Sequence, residues 1–311
     1  MTNPPAEELP RIAVLLATHN GRGFIAEQLD SILGQESCSV DVWISDDHSS
    51  DGTWEWLLEK SSSEPRINLM PRNAAFGSAS RNFYRLLREV DPTGYQYIAL
   101  SDQDDIWFPN KLAVSIRQLR AHDAAAVSSN VVALWPGGNR RLIRKSQKQR
   151  RLDFLFESAG QGCTYLMTSA CATEFRQFLM ANRTAIESVR FHDWMLYAWT
   201  RSHAFRWHIQ SDPTLLYRQH ASNVHGANSG SAALMRRIKQ VRSGWYREEI
   251  LKISRLVSAG PTFTEECAAT MRLVEARTMQ SKLALAMKVR QLRRKTTDRA
   301  LLLLACIAGW I

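Results

Sequence analysis

The sequence predicts an α/β fold: a mostly parallel sheet flanked by helices, with a helical C-terminal extension. Three observations predict it. Apolar, strand-length runs alternate with helix-length segments four times between residues 11 and 122, and such alternation builds a parallel sheet with helices packed on it. Polar clusters follow the ends of three of those runs, where open α/β sheets bind their ligands. Beyond "NVHGANSGS" the chain changes to long helical stretches rich in Arg, Leu, Ala and Met.

Each element has its own signal. "RIAVLLATHN" (11–20) is an apolar run ending in polar residues, and "EQLDSILGQ" then reads as a helix. "VDVWISDD" is a second strand closed by two aspartates, followed by the helix "DGTWEWLLEKSS". "RINLMPRN" and "YQYIALSDQDD" are the third and fourth strands, followed by the helices "SASRNFYRLLREV" and "PNKLAVSIRQLRAH". "AAAVSSNVVALW" reads as one further strand and "GQGCTYLMTSA" as another, buried one. "ATEFRQFLMANR" is a helix, "FHDWMLYAWTRSH" is amphipathic, and "FRWHIQSDPTLLYRQH" reads as a strand pair. The expected organisation is a polar tail over 1–10, a catalytic domain over 11–230 and a basic helical region over 231–311.

With 45% hydrophobic and 23% charged residues in 311, the chain reads as an ordinary soluble globular protein, which excludes collagen-like, disulfide-scaffold and wholly disordered classes. Its five cysteines are scattered and never spaced C-x-x-C, which points to reduced thiols in a cytoplasmic chain rather than a structural zinc site. The opening "MTNPPAEELP" is polar and acidic, unlike a signal peptide. The net charge of +10 is uneven: residues 231–311 carry 16 Lys and Arg against 6 Asp and Glu. The segment 139–151 adds seven basic residues and no acidic one. Such zones commonly meet nucleic acid or an anionic membrane surface.

The acidic clusters carry the chemistry. "SDQDD" sets Asp102, Asp104 and Asp105 directly after an apolar strand. Adjacent carboxylates there suit a hard divalent cation, since Mg²⁺ and Mn²⁺ take oxygen ligands and Mg²⁺ shares its shell with substrate phosphates. The plainer alternative is a solvated turn capping the next helix. "SDDHSSDGT" places Asp46 and Asp47 at a strand end, where a carboxylate can accept hydrogen bonds from a ribose or base. Asp51 fits a helix start. "ATHN", with Thr18, is a strand end that alone assigns nothing. Arg81, at a helix start, is expected to aim at the same rim, against the alternative of a surface arginine. Asp193 lies at a helix start beside Trp194; desolvation there would raise its pKa and suit it to general-base work, while an ordinary helix-capping aspartate is the alternative. His220 and His225 follow a strand, where they can meet metal or diphosphate or simply lie on the surface.

Together "VLLATHNGRGFIAEQLDSILGQ", "WISDDHSSDGT", "ALSDQDDIWFPNKL", "HDWMLYAW" and "YRQHASNVHG", in this order over residues 11–226, resemble the inverting glycosyltransferases of family 2. "SDQDDIW" and "YRQHxxNxxG" are similar in particular to its bacterial rhamnosyltransferase-like branch. The resemblance implies a nucleotide-diphospho-sugar transferase fold of the GT-A type, with a Rossmann-like sheet. It implies that Asp46 and Asp47 contact the nucleotide with Thr18 beside the base, and that Asp102 and Asp104 form the D-x-D holding Mg²⁺ or Mn²⁺ on the donor diphosphate. Arg81 would lie near that diphosphate, Asp193 would be the catalytic base, and His220 would belong to the segment closing over the donor. The family often has Glu-Asp where this chain has His192-Asp193. The implied reaction moves a sugar, from dTDP-rhamnose or a UDP-sugar, to a glycan or lipid-linked saccharide in cell-surface polysaccharide synthesis. The same acidic rim would also serve a nucleotidyltransferase or phosphohydrolase, and a non-catalytic sugar-nucleotide-binding protein would need no base. A lone His-Asp pair is short of the ligands a metal phosphohydrolase uses.

The C-terminal 80 residues lie outside that resemblance. "LALAMKVRQLRRKTTDRALLLLACIAGWI" joins a basic helical stretch to an uncharged, mostly apolar end, too short for the ~20 residues of a helical span. An interfacial helix on the inner face of the cytoplasmic membrane and a helix packed on the catalytic domain are both open. No nucleic-acid-reading motif is present, so nucleic acid is not an expected partner. Self-association through these helices is a further expectation.

Overall fold

A computed structural model describes residues 8–72, 75–220, 239 and 241–311. The first part of the chain runs β1 (Arg11–Thr18), α1 (Ile25–Leu33), β2 (Ser39–Asp46), α2 (Thr53–Ser63), β3 (Ile67–Leu69), α3 (Ala79–Glu89), β4 (Tyr97–Ser101), β5 (Ile106–Trp107) and α4 (Lys111–Ala121). Then come β6 (Ala126–Ser129), β7 (Val131–Leu134), β8 (Arg140–Ile143), β9 (Leu166–Thr168), α5 (Ser169–Ala181), α6 (Arg183–Ile186), α7 (His192–Ser202), β10 (Trp207–Gln210) and β11 (Leu215–Arg218). Four further helices follow: α8 (Trp245–Val257), α9 (Glu265–Ala276), α10 (Met279–Leu292) and α11 (Thr296–Ile307).

A sheet of order β10-β6-β9-β4-β1-β2-β3 forms the centre. All its pairs are parallel except those of β9, which runs antiparallel between β4 and β6. β1 is buried along nearly its whole length, as a strand covered on both faces must be. Its alternate residues feed two cores: Ile12, Val14 and Leu16 pack with α1 and α4, whereas Ala13, Leu15 and Ala17 face α3, α5 and α7. Helix starts are fixed by side-chain caps, with Ser78, Thr168 and Thr278 accepting from the amides of Arg81, Cys171 and Ser281.

Four sequence expectations change in detail. The single strand expected over 124–135 divides at Asn130, with β6 in the central sheet and β7 in a second sheet of order β5-β11-β7-β8. The buried Asn130 side chain donates to Ser211 O at 2.6 Å and accepts from the amides of Lys145 (2.6 Å) and Ser146 (3.0 Å), so it belongs to the crossing between sheets. β10 and β11 make the same crossing: β10 pairs with β6 and β11 with β7, both parallel, so they are not a pair with each other. Residues 162–164 form a tight turn, and only Leu166–Thr168 of the segment 160–170 is strand. The helix expected to be amphipathic, α7, is buried from Trp194 to Thr200, because α3, α5 and α8 all pack on it.

The apolar C-terminal end is a helix packed on the α/β body. Leu302, Ala305, Cys306 and Ile311 join the same core as Leu15 and Trp199, with Leu285 and Leu292 beneath them. Buried Asp153 fastens this region electrostatically, with Arg294 at 3.0 Å and Arg201 at 3.2 Å. Among the described residues no helix is long and apolar enough to cross a membrane. The expected boundary near residue 230, and His225, lie outside the described residues.

Candidate active site

The C-terminal ends of β1, β2 and β4 and the N-terminal ends of α3 and α7 open onto one cavity of about 1310 Å³. Thr18, Asp47, Asp102, Asp104 and Asp193 all line it. The loops after β1 and β4 are latched by Gln103: its Oε1 accepts from Thr18 Oγ1 (2.6 Å) and the His19 amide (2.7 Å), while its Nε2 donates to His19 O (3.0 Å). Gly21 makes room for this latch, since a Cβ there would lie 2.5 Å from Gln103 Oε1.

The aspartate pair after β2 divides its work. Asp46, 1% exposed, is absent from the cavity wall; it pairs with Arg72 Nε at 3.1 Å and accepts from the Ser49 amide at 3.0 Å. Asp47 faces the cavity and holds the segment before α3 by accepting from the amides of Gly77 (2.9 Å) and Phe76. Asp51 accepts from the Arg22 and Thr53 amides, and hydrogen bonding keeps its carboxyl below the usual range despite some burial. Arg81 departs from expectation: its Nε donates to Glu187 O at 3.1 Å, away from the cavity wall. Among the described residues, the lysine and arginines that line the cavity are Lys145, Arg190 and Arg293; Lys145 and Arg293 lie in the two basic segments the sequence singles out, and Arg190 does not.

Around "SDQDD" the carboxylates crowd together. Asp102 keeps some access from the cavity, yet loss of water, with the charge of Asp104 next, pushes its carboxyl up to about 7. Asp104 is raised by desolvation, against the pull of His220, whose Nε2 lies 2.8 Å from Asp104 Oδ2. Arg218 Nε donates to Asp104 O at 2.9 Å. Asp105 is fully buried behind them. Ligand atoms of Asp102, Asp105 and Cys163 lie within 4.8 Å of one another. Cys163 is a poor partner for a hard cation, because burial pushes its thiol far up. The oxygen donors that face the cavity, Asp102 and Asp104, do fit such a cation: loss of water first, and the charge of Asp104 next, raise Asp102, and a cation would offset both. Burial, with the charges of Asp104 and Asp102 next, pushes the Asp105 carboxyl well up.

Asp193 sits in the first turn of α7, where its Oδ1 accepts from the Trp194 amide at 2.7 Å. Burial raises its carboxyl to about 6, with Lys145 among the groups opposing the rise. Its neighbour His192 stacks on Phe83, ring centroids 4.0 Å apart. Gly162 admits this pair closely; a Cβ there would lie 2.6 Å from His192 Nε2 and 3.4 Å from Asp193 Cβ. Sequence reasoning missed the Gln103 latch, Cys163 and Arg190, and read the basic stretch holding Arg293 without placing it at the cavity. An isolated cysteine in an apolar run and a single arginine leave no local signal. An oxygen-rich polar end, a carboxylate with a pKa near neutrality and a cationic wall together suit displacement at a phosphorylated carbon.

The comparisons agree with that chemistry. The model of "Glycosyl transferase family 2" matches residues 13–183. The dTDP-rhamnosyl transferase RfbG of Shigella flexneri is 39% identical over 293 residues, covering 94% of this chain and 99% of its own. Among solved structures, S. aureus TarS 1-349 in complex with UDP-GlcNAc superposes with a TM-score of 0.58 at 13% identity, over 96% of this chain and 80% of that one. The mannosyltransferase PcManGT from Pyrobaculum calidifontis, in complex with GDP-Man and Mn²⁺, gives 0.52 at 16% identity, over 98% and 86%. These two likenesses bear out the fold. With a family model spanning more than half of the chain and a full-length relative, this protein belongs to glycosyltransferase family 2.

Proposed function

We propose that the protein transfers rhamnose from dTDP-rhamnose to a hydroxyl of a saccharide acceptor, with inversion at the anomeric carbon. The observation that carries this reading is Asp193, a carboxylate raised to about 6 in the cavity that also holds Asp102 and Asp104. The full-length likeness to a dTDP-rhamnosyl transferase supports the choice of donor.

The residues take separate roles. Asp47 and the Thr18–Gln103 latch shape the wall for the nucleoside. Asp102 and Asp104 would hold Mg²⁺ or Mn²⁺, which when bound supplies Lewis-acid neutralisation of the donor diphosphate. His220, bonded to Asp104 Oδ2, would orient that carboxylate towards the cation and donor diphosphate. Asp193 accepts the proton of the acceptor hydroxyl, whose oxygen attacks the anomeric carbon opposite the departing nucleotide. A base with a pKa just below neutrality is ionised at pH 7 and still a competent proton acceptor. Five free cysteines support a cytoplasmic setting.

The test is calorimetric titration with dTDP, UDP and GDP, with and without Mn²⁺, followed by transfer assays with dTDP-rhamnose. Preferred, Mn²⁺-dependent binding of dTDP is expected. Preference for another nucleotide would overturn the rhamnose assignment; binding of none by the folded protein would overturn the donor site itself.

A further inference from the structure

The C-terminal helices reach the catalytic cavity, where Leu301, Leu304 and Ile307 of α11 form part of an apolar wall. They also hold a segment that borders Asp193. This segment, residues 152–158, lies between β8 and β9, and the junction of α10 and α11 grips its backbone. Leu152 N donates to Gln291 O at 3.2 Å, and Arg293 Nη1 to Phe156 O at 2.7 Å. Arg294 reaches furthest along it: its amide donates to Glu157 Oε1 at 2.6 Å, Nη1 to Asp153 Oδ2 at 3.0 Å and Nη2 to Ser158 O at 2.5 Å. Arg294 is only 2% exposed, so little water competes for these bonds. Its planar guanidinium ties the two ends of the segment in one fixed geometry.

The same segment is bonded to α7, the helix that carries Asp193. Trp194 Nε1 donates to Phe154 O at 2.9 Å, Tyr197 Oη to Asp153 Oδ2 at 3.1 Å and Arg201 Nη1 to Asp153 Oδ1 at 3.2 Å. At its end Ser158 lines the cavity with Asp193, its hydroxyl within hydrogen-bonding reach of that carboxylate and 3.0 Å from Gly160 O. A serine has one hydroxyl proton to give. Tyr165 Oη already donates to Gly160 O at 3.2 Å, and an ionised carboxylate is the stronger acceptor, so the Ser158 proton belongs on Asp193. Lys145, Asp102, Tyr84 and Tyr165 also interact electrostatically with Asp193, and His192 adjoins it on α7.

We propose that Arg294 is a positioning residue for sugar transfer: it holds Ser158 so that the serine hydroxyl orients the Asp193 carboxylate towards the acceptor. The inference rests on the reading of Asp193 as the base and adds what aims it. It gives the C-terminal region, which lies beyond the residues 13–183 matched by the family model, a part in turnover that packing alone does not require. The role belongs to the guanidinium fork, since a lysine ammonium at position 294 cannot reproduce the paired bonds to Asp153 and Ser158 O.

The test measures dTDP release from dTDP-rhamnose by the full chain at saturating Mn²⁺, with water standing in for the acceptor hydroxyl. Ser158→Ala, Arg294→Lys and the double variant are compared, with Asp193→Asn as reference. Each single change is expected to lower kcat by ~10-fold or more, the scale of one hydrogen bond to a charged group, while KM for dTDP-rhamnose stays unchanged. In both, the acidic limb of kcat/KM should move to higher pH, because the lost hydrogen bond favours ionised Asp193. The double variant should fall little further than Ser158→Ala alone, as expected of residues acting through one contact. Ser158 is only partly buried, so Ser158→Ala keeps the test decisive if Arg294→Lys does not fold: an unmoved kcat and limb there overturn the inference. Full additivity of the two changes, or a lowered melting temperature in Arg294→Lys with kcat and limb unmoved, would also overturn it, while loss of the limb in Asp193→Asn leaves the base in place. A limb that persists in Asp193→Asn would instead remove the reading beneath it, and the inference with it.

Discussion

His220 Nε2 lies 2.8 Å from Asp104 Oδ2, and the imidazole is stacked on Phe24 with ring centroids 4.4 Å apart. β11 thereby grips the D-x-D turn twice, since Arg218 also donates to Asp104 O and pairs with Glu27 at 2.5 Å. The grip joins three segments far apart in sequence: the start of α1, the turn after β4 and the end of β11.

Replacing His220 should therefore weaken donor binding more than folding. A hydrogen bond to a charged group is worth ~1.5–3 kcal/mol, so His220→Ala should raise the dissociation constant for dTDP by roughly 10- to 100-fold. The melting temperature should change little, because Arg218 still holds the turn through Asp104 O. Calorimetry and thermal unfolding measured side by side decide this; an unchanged dTDP affinity would take His220 out of the donor site.

The two carboxylates of the D-x-D should fail differently from the base. Asp104→Ala removes an oxygen donor and the negative charge that helps raise Asp102. It should abolish transfer and also the dependence of donor binding on Mn²⁺, because the remaining Asp102 offers a single cavity-facing carboxylate. Retention of Mn²⁺-dependent binding in that variant would shift the metal assignment towards Asp102 and Asp105.

The aspartates after β2 should separate cleanly. Asp46 is an interior partner of Arg72, whereas Asp47 ties down cavity-wall backbone. Asp46→Ala leaves a partly buried guanidinium unpaired and should cost about 2–4 kcal/mol in urea unfolding, near or below the range for a broken buried pair because Arg72 retains some solvent. Asp47→Ala should cost less stability but loosen donor binding by ~10-fold, since two backbone amides of the cavity wall lose their acceptor. Equal effects of both changes on dTDP affinity would return Asp46 to the nucleotide site.

Much of this arrangement was legible in the chain. Four strand–helix repeats were readable because each strand is a mostly apolar run ending in polar residues, and β1 splits its alternate residues between two cores. The strand ends then converge on one cavity as topology requires. What escaped reading depends on contacts distant in sequence. Asn130 sits in an apolar run, and its interruption of the strand comes from side-chain bonds to residues 145, 146 and 211. Arg81 occupies the expected helix start, but that position sets only where its backbone lies, and Glu187 O holds its guanidinium elsewhere. The apolar wall of α11 reaches the cavity from the far end of the chain, so no local pattern near the acidic motifs announces it.

The pH profile should report Asp193 directly. Burial holds its carboxyl at about 6, above the 3.8 usual for aspartate. A raised acid is protonated, and so useless as a base, at pH values where an ordinary aspartate would be ionised. Turnover should therefore be fully present above about pH 7 and fall as pH drops through 6, losing ~10-fold per unit below it. The relevant measurement is kcat/KM from about pH 4.5 to 8 at saturating Mn²⁺, since that ratio titrates groups of the free enzyme. Asp193→Asn should cut turnover by at least ~10²-fold and erase the limb near 6, while dTDP binding survives because the carboxylate faces the acceptor. A limb that persists in Asp193→Asn would assign the titration to another group, with the raised Asp102 the next to be tested.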